Sequence, residues 1–251
     1  MHATDELGQQ ASSINALAVA LEQTERRRLE VIGNVAHELR TPIATLEGYL
    51  EGLLDGVIEP TPQTWAMLHT EAGRLRRLVD DLQELSRAEA RQIPLSPQPV
   101  APQRLVQDAL EPLEGQFAEK GLELEVHVPE DLPLVMADPT RAVQILTNLL
   151  VNALRYTPAP GKVELAVSRE EDTVAFRVTD TGVGLTQEQL AHIFERFYRV
   201  DKSRARAFGG SGIGLTIAQS LAQAMRGGIR VESAGLGRGS SFTLTLPLAH
   251  E

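Results

Sequence analysis

Residues 31–43 read Val31-Ile-Gly-Asn-Val-Ala-His37-Glu38-Leu-Arg-Thr41-Pro42-Ile43 and set a histidine beside a carboxylate in a segment with a regular seven-residue apolar repeat. The repeat runs Leu29, Ile32, Ala36, Leu39, Ile43, Leu46, Leu50, Leu53 and Val57 in alternating steps of three and four. That is the pattern of a helix packed in a coiled-coil-like bundle. His37 lies off the stripe, next to a core position, where an imidazole is reachable by solvent and by another domain. A lone histidine on a charged helix face reads as a surface residue, so its meaning depends on the rest of the chain.

Working outward, the preceding stretch Asp5 to Arg28 carries a weaker stripe at Ile14, Leu17 and Leu21. The step from Leu21 to Ile32 is a stutter, which locally unwinds a supercoil. A helix is expected from about Thr24 to Asp55, kinked at Pro42, which lacks a backbone donor. The turn Gly56-Val-Ile-Glu-Pro-Thr-Pro62 follows, with Thr61 placed as a helix cap and Pro62 at the first helical position. The next stripe, Trp65, Leu68, Ala72, Leu75, Val79 and Leu82, has the same period, which predicts an antiparallel hairpin. Two helices cannot bury both stripes alone, so a homodimer forming a four-helix bundle is expected.

The whole chain has 251 residues, 42% of them apolar, enough for one or two domains with real cores. A net charge of -10 and a pI near 5.2 argue against a nucleic-acid surface. With no cysteine, disulfides, thiol nucleophiles and cysteine-ligated metals are excluded, and a reducing cytoplasm is compatible. No run approaches the roughly 18 to 20 apolar residues that cross a bilayer.

Pro94, Pro97, Pro99 and Pro102 end the helical periodicity and mark a domain boundary near residues 90 to 100. Beyond it, Leu122 to Val128, Val163 to Val167, Val174 to Val178, Ile229 to Val231 and Phe242 to Leu246 read as strands. Helices are expected near Gln103 to Lys120, Thr140 to Leu154, Gln187 to Phe194 and Ile213 to Met225. The mixture predicts a sheet with helices layered on one face.

Three clusters fall at element ends here. Asn148 and Asn152 share one helix face amid leucines, and their carbonyls suit a hydrated Mg²⁺ on phosphate oxygens; buried amides satisfied by backbone would look the same. Asp180-Thr-Gly182-Val-Gly184 directly follows a strand; the aspartate is suited to accept from an adenine amino group, and a plain strand-end turn is the alternative. Gly209-Gly-Ser-Gly212-Ile-Gly214 opens a helix whose free amides and dipole favour phosphate. A basic stretch with Arg199, Lys202, Arg204 and Arg206 precedes it. No Walker loop or dinucleotide fingerprint is present, so another nucleotide fold is required.

These residues resemble a sensor histidine kinase of two-component signalling, over nearly the whole chain. His37-Glu-Leu-Arg-Thr-Pro42 resembles that family's phosphoacceptor box, and Asn148-Leu-Leu-Val-Asn152-Ala-Leu-Arg155-Tyr156-Thr157 its asparagine box. Asp180 to Gly184 resembles the first glycine box, Phe194-Glu-Arg-Phe-Tyr198 the phenylalanine box, and Gly210 to Gly214, with Leu215 beside it, the second glycine box. Gly237-Arg-Gly239-Ser-Ser-Phe242 fits the closing glycine motif, and Asp5-Glu-Leu-Gly8 the second helix of a HAMP signal-relay domain. Val31 departs from the phenylalanine many relatives carry.

The resemblance implies a HAMP end at 1–24, a dimerisation and histidine phosphotransfer hairpin at 25–92, a linker at 93–101 and a catalytic ATP-binding domain at 102–251. The hairpin is implied to form a dimeric four-helix bundle, and the catalytic domain an α+β two-layer sandwich of the Bergerat type. Mg²⁺ and ATP are the implied ligands, the metal at Asn152 with phosphates and water. Asn148, Asn152, Arg155, Tyr156, Asp180, Gly182, Gly184, Lys202, Gly210, Gly212, Gly214 and Leu215 are the implied binding residues. His37 is the implied phosphoacceptor, assisted by Glu38, with Thr41 serving regulator dephosphorylation. A response-regulator receiver domain is the implied partner, and the cytoplasmic portion of a membrane-anchored sensor the implied setting, with no nucleic acid and no membrane contact by this segment. Two rival readings are a related ATPase and a nucleotide-binding dimeric scaffold without histidine transfer.

Overall fold

A computed structural model describes residues 3–89, 93–199 and 212–249. It divides into two compact units, Met1–Leu78 and Val79–Glu251.

The first unit is a helical hairpin whose second helix continues past Leu78 into the second unit. Helix α1 (Ala3–Leu54) contains Pro42 within it, so the Glu38 carbonyl lacks the usual i+4 amide. The turn closes where Val57 and Ile58 both donate their amides to Gly52 O, at 2.9 and 2.8 Å. Helix α2 (Pro62–Glu89) then starts at the expected proline, and Thr61 Oγ1 accepts the Thr64 amide at 3.2 Å. The apolar stripes separate into two lines. Leu39, Leu46 and Leu53 on α1 are half-buried, Leu68 and Leu78 on α2 are buried, and Leu75 is half-buried. Leu29, Ala36, Ile43, Leu50 and Val57, with Trp65 and Ala72, form a second line that stays exposed.

The second unit is built on a five-stranded sheet of order β2-β4-β5-β7-β6. Its strands are β2 (Leu122–His127), β4 (Gly161–Glu170), β5 (Thr173–Asp180), β6 (Gly228–Glu232) and β7 (Ser240–Pro247). All pairings are antiparallel except β2 with β4. Register aligns Val167, Phe176 and Leu244 in one row and Leu165, Val178 and Phe242 in the next. All six are buried, so one face of the sheet is the core side. The other face is polar; Thr179 and Ser241, cross-strand partners there, share a hydrogen bond of 3.0 Å.

Two helices cover the core face. Helix α5 (Pro139–Tyr156) contributes Ile145, Leu146, Leu149 and Leu150, and α7 (Gly214–Ala224) contributes Ile217 and Leu221, all fully buried. Helix α6 (Gln187–His192) carries a capping box between Thr186 and Gln189. The single helix expected at Gln103 to Lys120 is two, α3 (Pro102–Leu110) and α4 (Glu114–Lys120). Pro112 is the cause, since it cannot donate to an i-4 carbonyl. A small antiparallel sheet of β1 (Gln98–Val100) and β3 (Val135–Ala137) was not expected from the sequence.

Candidate nucleotide site and phosphoacceptor helix

The site in the second unit follows from strand periodicity. Val174, Phe176 and Val178 face the core, so Asp180, two residues on, occupies the next inward position. It is only 6% exposed. Register places Asp180 opposite Ser240, whose hydroxyl donates to Oδ2 at 2.6 Å. Gly182 donates its amide to Oδ1 at 2.7 Å. Burial pushes the carboxyl above the ordinary aspartate range, opposed by the hydrogen bonds from Ser240 and Gly182.

A close-packed loop surrounds this carboxylate. A Cβ on Gly239 would lie 1.8 Å from Asp180 O, and Gly239 has φ +69, so a side chain is excluded there on both counts. Gly182 lies against the Tyr156 carbonyl and Gly184 against the Gly235 carbonyl. Val183 donates to Tyr156 O at 3.2 Å, joining the loop to the end of α5. Ser233 ties the two sides by accepting from the Leu185 amide at 3.0 Å and donating to Gly239 O at 2.6 Å.

Helix α5 reaches the other cluster as well. Asn148 Nδ2 donates to Gly214 O at 3.3 Å, which fixes its amide beside the first residue of α7. The N-cap of that helix, Ile213, supplies no side-chain cap, leaving the helix start suited to an anion. Gly212 (φ +74) sits against the Phe197 backbone, and Phe197 donates its amide to Gly212 O at 3.0 Å. Phe197 itself adopts φ 60, a costly conformation for an aromatic residue. Thr216 Oγ1 adds a bond to Phe194 O at 2.9 Å.

The structure thus brings together Asp180, Gly182, Gly184 and Tyr156 at one end of α5, and Asn148, Gly212 and Gly214 near its middle. Asn152 lies between them, one turn from Asn148, and is half-buried, as are Arg155 and Leu215. Lys202 and Gly210, with Arg204 and Arg206, lie outside the described residues. Ser240 and Ser233 were missed by sequence reading. A buried carboxylate requires donors, but only the β5–β7 register identifies Ser240 as one.

In the first unit, His37 is exposed and Glu38 half-buried. Thr41 Oγ1 points back to His37 O at 3.4 Å, so its hydroxyl stands on the same helix face one turn away.

A hairpin bearing an exposed histidine, joined in one chain to a one-sided sheet with this aspartate and glycine arrangement, defines a two-part protein of the histidine-kinase-like ATPase class. Residues 137–250 match the family described as histidine kinase-, DNA gyrase B-, and HSP90-like ATPase, and residues 27–91 match the His Kinase A (phospho-acceptor) domain. The chain is 39% identical over 247 residues to the signal transduction histidine-protein kinase BaeS of Escherichia coli (strain K12), covering 98% of this chain and 52% of BaeS. It is 34% identical over 248 residues to the histidine protein kinase SaeS of Staphylococcus epidermidis (strain ATCC 12228), covering 96% of this chain and 70% of SaeS. The full-length ShkA structure in complex with AMPPNP aligns with TM-score 0.65 and 31% identity, over 86% of this chain and 46% of ShkA. The chain belongs to the sensor histidine kinase family. It spans about half the length of BaeS. Among the described residues no helix is long and apolar enough to cross a membrane.

Proposed function

We propose that the chain is an ATP-dependent protein-histidine autokinase that phosphorylates His37 and passes the phosphoryl group to the aspartate of a response-regulator receiver domain. The observation that carries this reading is the pairing of an exposed His37-Glu38 on a bundle helix with a buried, doubly hydrogen-bonded Asp180 in the second unit. A related ATPase needs no such histidine, and a scaffold needs no intact site. The solved complex of ShkA with AMPPNP, an ATP analogue, supports the choice of nucleotide.

In this reading Asp180 accepts from the adenine amino group through lone pairs left after Ser240 and Gly182 have donated. The start of α7 receives phosphate oxygens. Among the described residues no cluster of three or more acidic or histidine side chains is arranged for a metal. The available donors are carboxamides, with Asn148 Nδ2 already committed to Gly214 O, which fits a cation that arrives on the nucleotide and keeps its waters. Asn152 and Asn148 would hold that Mg²⁺ on the phosphates, where it supplies charge neutralisation. Neutral imidazole is the nucleophile: a ring nitrogen of His37 bonds to the γ-phosphorus as the bond to the β,γ-bridging oxygen breaks and ADP leaves. Glu38 fixes the tautomer and stabilises the positive charge that develops on the ring.

The test is incubation with γ-labelled Mg·ATP, comparing the parent with His37→Ala. The expected label is acid-labile, alkali-stable and absent from the variant. A parent that binds ATP yet stays unlabelled would overturn the autokinase reading.

A further inference from the structure

The last four carbonyls of a helix have no partners within it, and at the end of α5 they are divided among three other parts of the chain. Ala153 O accepts from the Thr157 amide at 3.1 Å and from Thr157 Oγ1 at 2.7 Å. Tyr156 O accepts from Val183 in the Asp180 loop. Leu154 O would ordinarily receive the amide of residue 158, which is a proline. It accepts instead from Lys120 Nζ, which also donates to Arg155 O at 3.1 Å.

Topology delivers that lysine. Lys120 ends α4, whose Phe117 is fully buried, and Gly121 turns the chain straight into β2. Because β2 runs parallel to β4 with Leu122 opposite Gly161, the end of α4 comes to lie at the end of α5. A cation at a helix C-terminus interacts favourably with the dipole and with the carbonyls at once. Burial pushes the Lys120 ammonium below the ordinary lysine range.

We propose that Lys120 is a positioning residue for nucleotide binding: by clamping the Leu154 and Arg155 carbonyls it fixes the last turn of α5, and through Tyr156 O it fixes the Asp180 loop. This inference rests on the second unit binding ATP as proposed above. Lys120 acts through α5, on which Asn152 lies two residues before Leu154, and needs no contact with the nucleotide itself. Arginine keeps the charge and several donors; methionine keeps the aliphatic stem and removes both bonds.

The experiment compares the parent, Lys120→Met and Lys120→Arg by calorimetric titration with Mg·ADP, by autokinase kinetics over a range of ATP, and by amide exchange at Val183. Lys120→Met is expected to weaken Mg·ADP binding and raise KM for ATP about tenfold, with turnover at saturating ATP within about twofold of the parent. Val183 exchange should accelerate, and Lys120→Arg should restore most of the affinity. Unchanged affinity and unchanged Val183 exchange in folded Lys120→Met would overturn the inference, as would loss confined to turnover. Should the methionine variant fail to fold, Lys120→Gln carries the same comparison. A parent that fails to bind Mg·ADP would strike the nucleotide reading itself, whereas a binding parent with an equally binding variant strikes only the clamp.

Discussion

Asp180 occupies the inward position of β5 that an apolar residue would fill if stability alone governed it. Its carboxyl is raised by burial, so the folded state favours the protonated form relative to the unfolded chain. The favourable contribution is therefore present at acid pH and is lost as the pH rises through the raised folded value. Above that value the ionised group is a net cost, one that the proposed nucleotide recognition would account for, since it needs an acceptor. Asp180→Asn should raise the Tm of the nucleotide-free protein at pH 7 by about 2–4 °C, with the gain shrinking on acidification, since protonated aspartate and asparagine are nearly isosteric. The same variant should lose about 10- to 100-fold in nucleotide affinity, the scale of one hydrogen bond to a charged group. Thermal scans at several pH values and calorimetry check both halves; a Tm that falls at pH 7 would refute the account. On α1, Thr41 presents its hydroxyl on the His37 face, and Thr41→Ala should keep autokinase while slowing dephosphorylation of the regulator. An unchanged phosphatase rate would reject that role. Asp180 stood out in the sequence as a polar residue ending an apolar row, and Gly182 and Gly184 as close-spaced glycines after a strand, whereas His37 broke no local rule and drew its meaning from the rest of the chain. Ser240, which donates to Asp180, breaks no rule in sequence and appears only when register is known.

At the scale of elements, α5 is the spine of the second unit. Its start is fixed by Asp138, whose Oδ1 accepts the Arg141 amide at 3.2 Å and whose Oδ2 accepts the Ser96 amide at 2.9 Å. Its first turns also receive the end of α2: Glu84 accepts from Arg141 Nη1 and from Gln144 Nε2. Both members of the Glu84-Arg141 pair are less than a quarter exposed, at 16% and 23%, so the pair is better shielded than a surface ion pair. Glu84→Ala should destabilise the second unit by about 1.5–3 kcal/mol, the range for hydrogen bonds to a charged group, with a matching fall in Tm. Loss of less than a few tenths of a kcal/mol would show the pair to be solvated. Periodicity revealed the long elements, since α5, β4, β5 and β7 bury regular faces. It missed β1 and β3, each of three residues and one containing Pro99, because so short a segment has no period to read. It also ran through Pro112, where a breaker stood in plain view.

At the scale of the whole molecule, a heptad-spaced apolar line of the hairpin is exposed among the described residues. Leu29 is 66% exposed, Ile43 40%, Leu50 47%, Val57 82% and Trp65 53%. Periodicity showed the full stripe in the sequence, but which of its two lines meets α2 is fixed only by how the helices turn about their axes. A second copy related by a twofold axis would present the same line and cover it, as the expected four-helix bundle requires. Each buried leucine or isoleucine in such a seam contributes about 1.5–3 kcal/mol, and the symmetry counts every position twice. A glutamate introduced at the centre is therefore felt in both subunits. Ile43→Glu or Leu50→Glu should raise the dimer dissociation constant at least about 100-fold, equivalent to about 3 kcal/mol. Light scattering at micromolar concentration should give dimer mass for the parent and monomer mass for either variant. Met67, 37% exposed and off the heptad line, supplies the control: Met67→Glu should leave the dimer intact. A parent of monomer mass would show that the exposed line is not a self-association surface, and dissociation by Met67→Glu would place the seam on the wrong face.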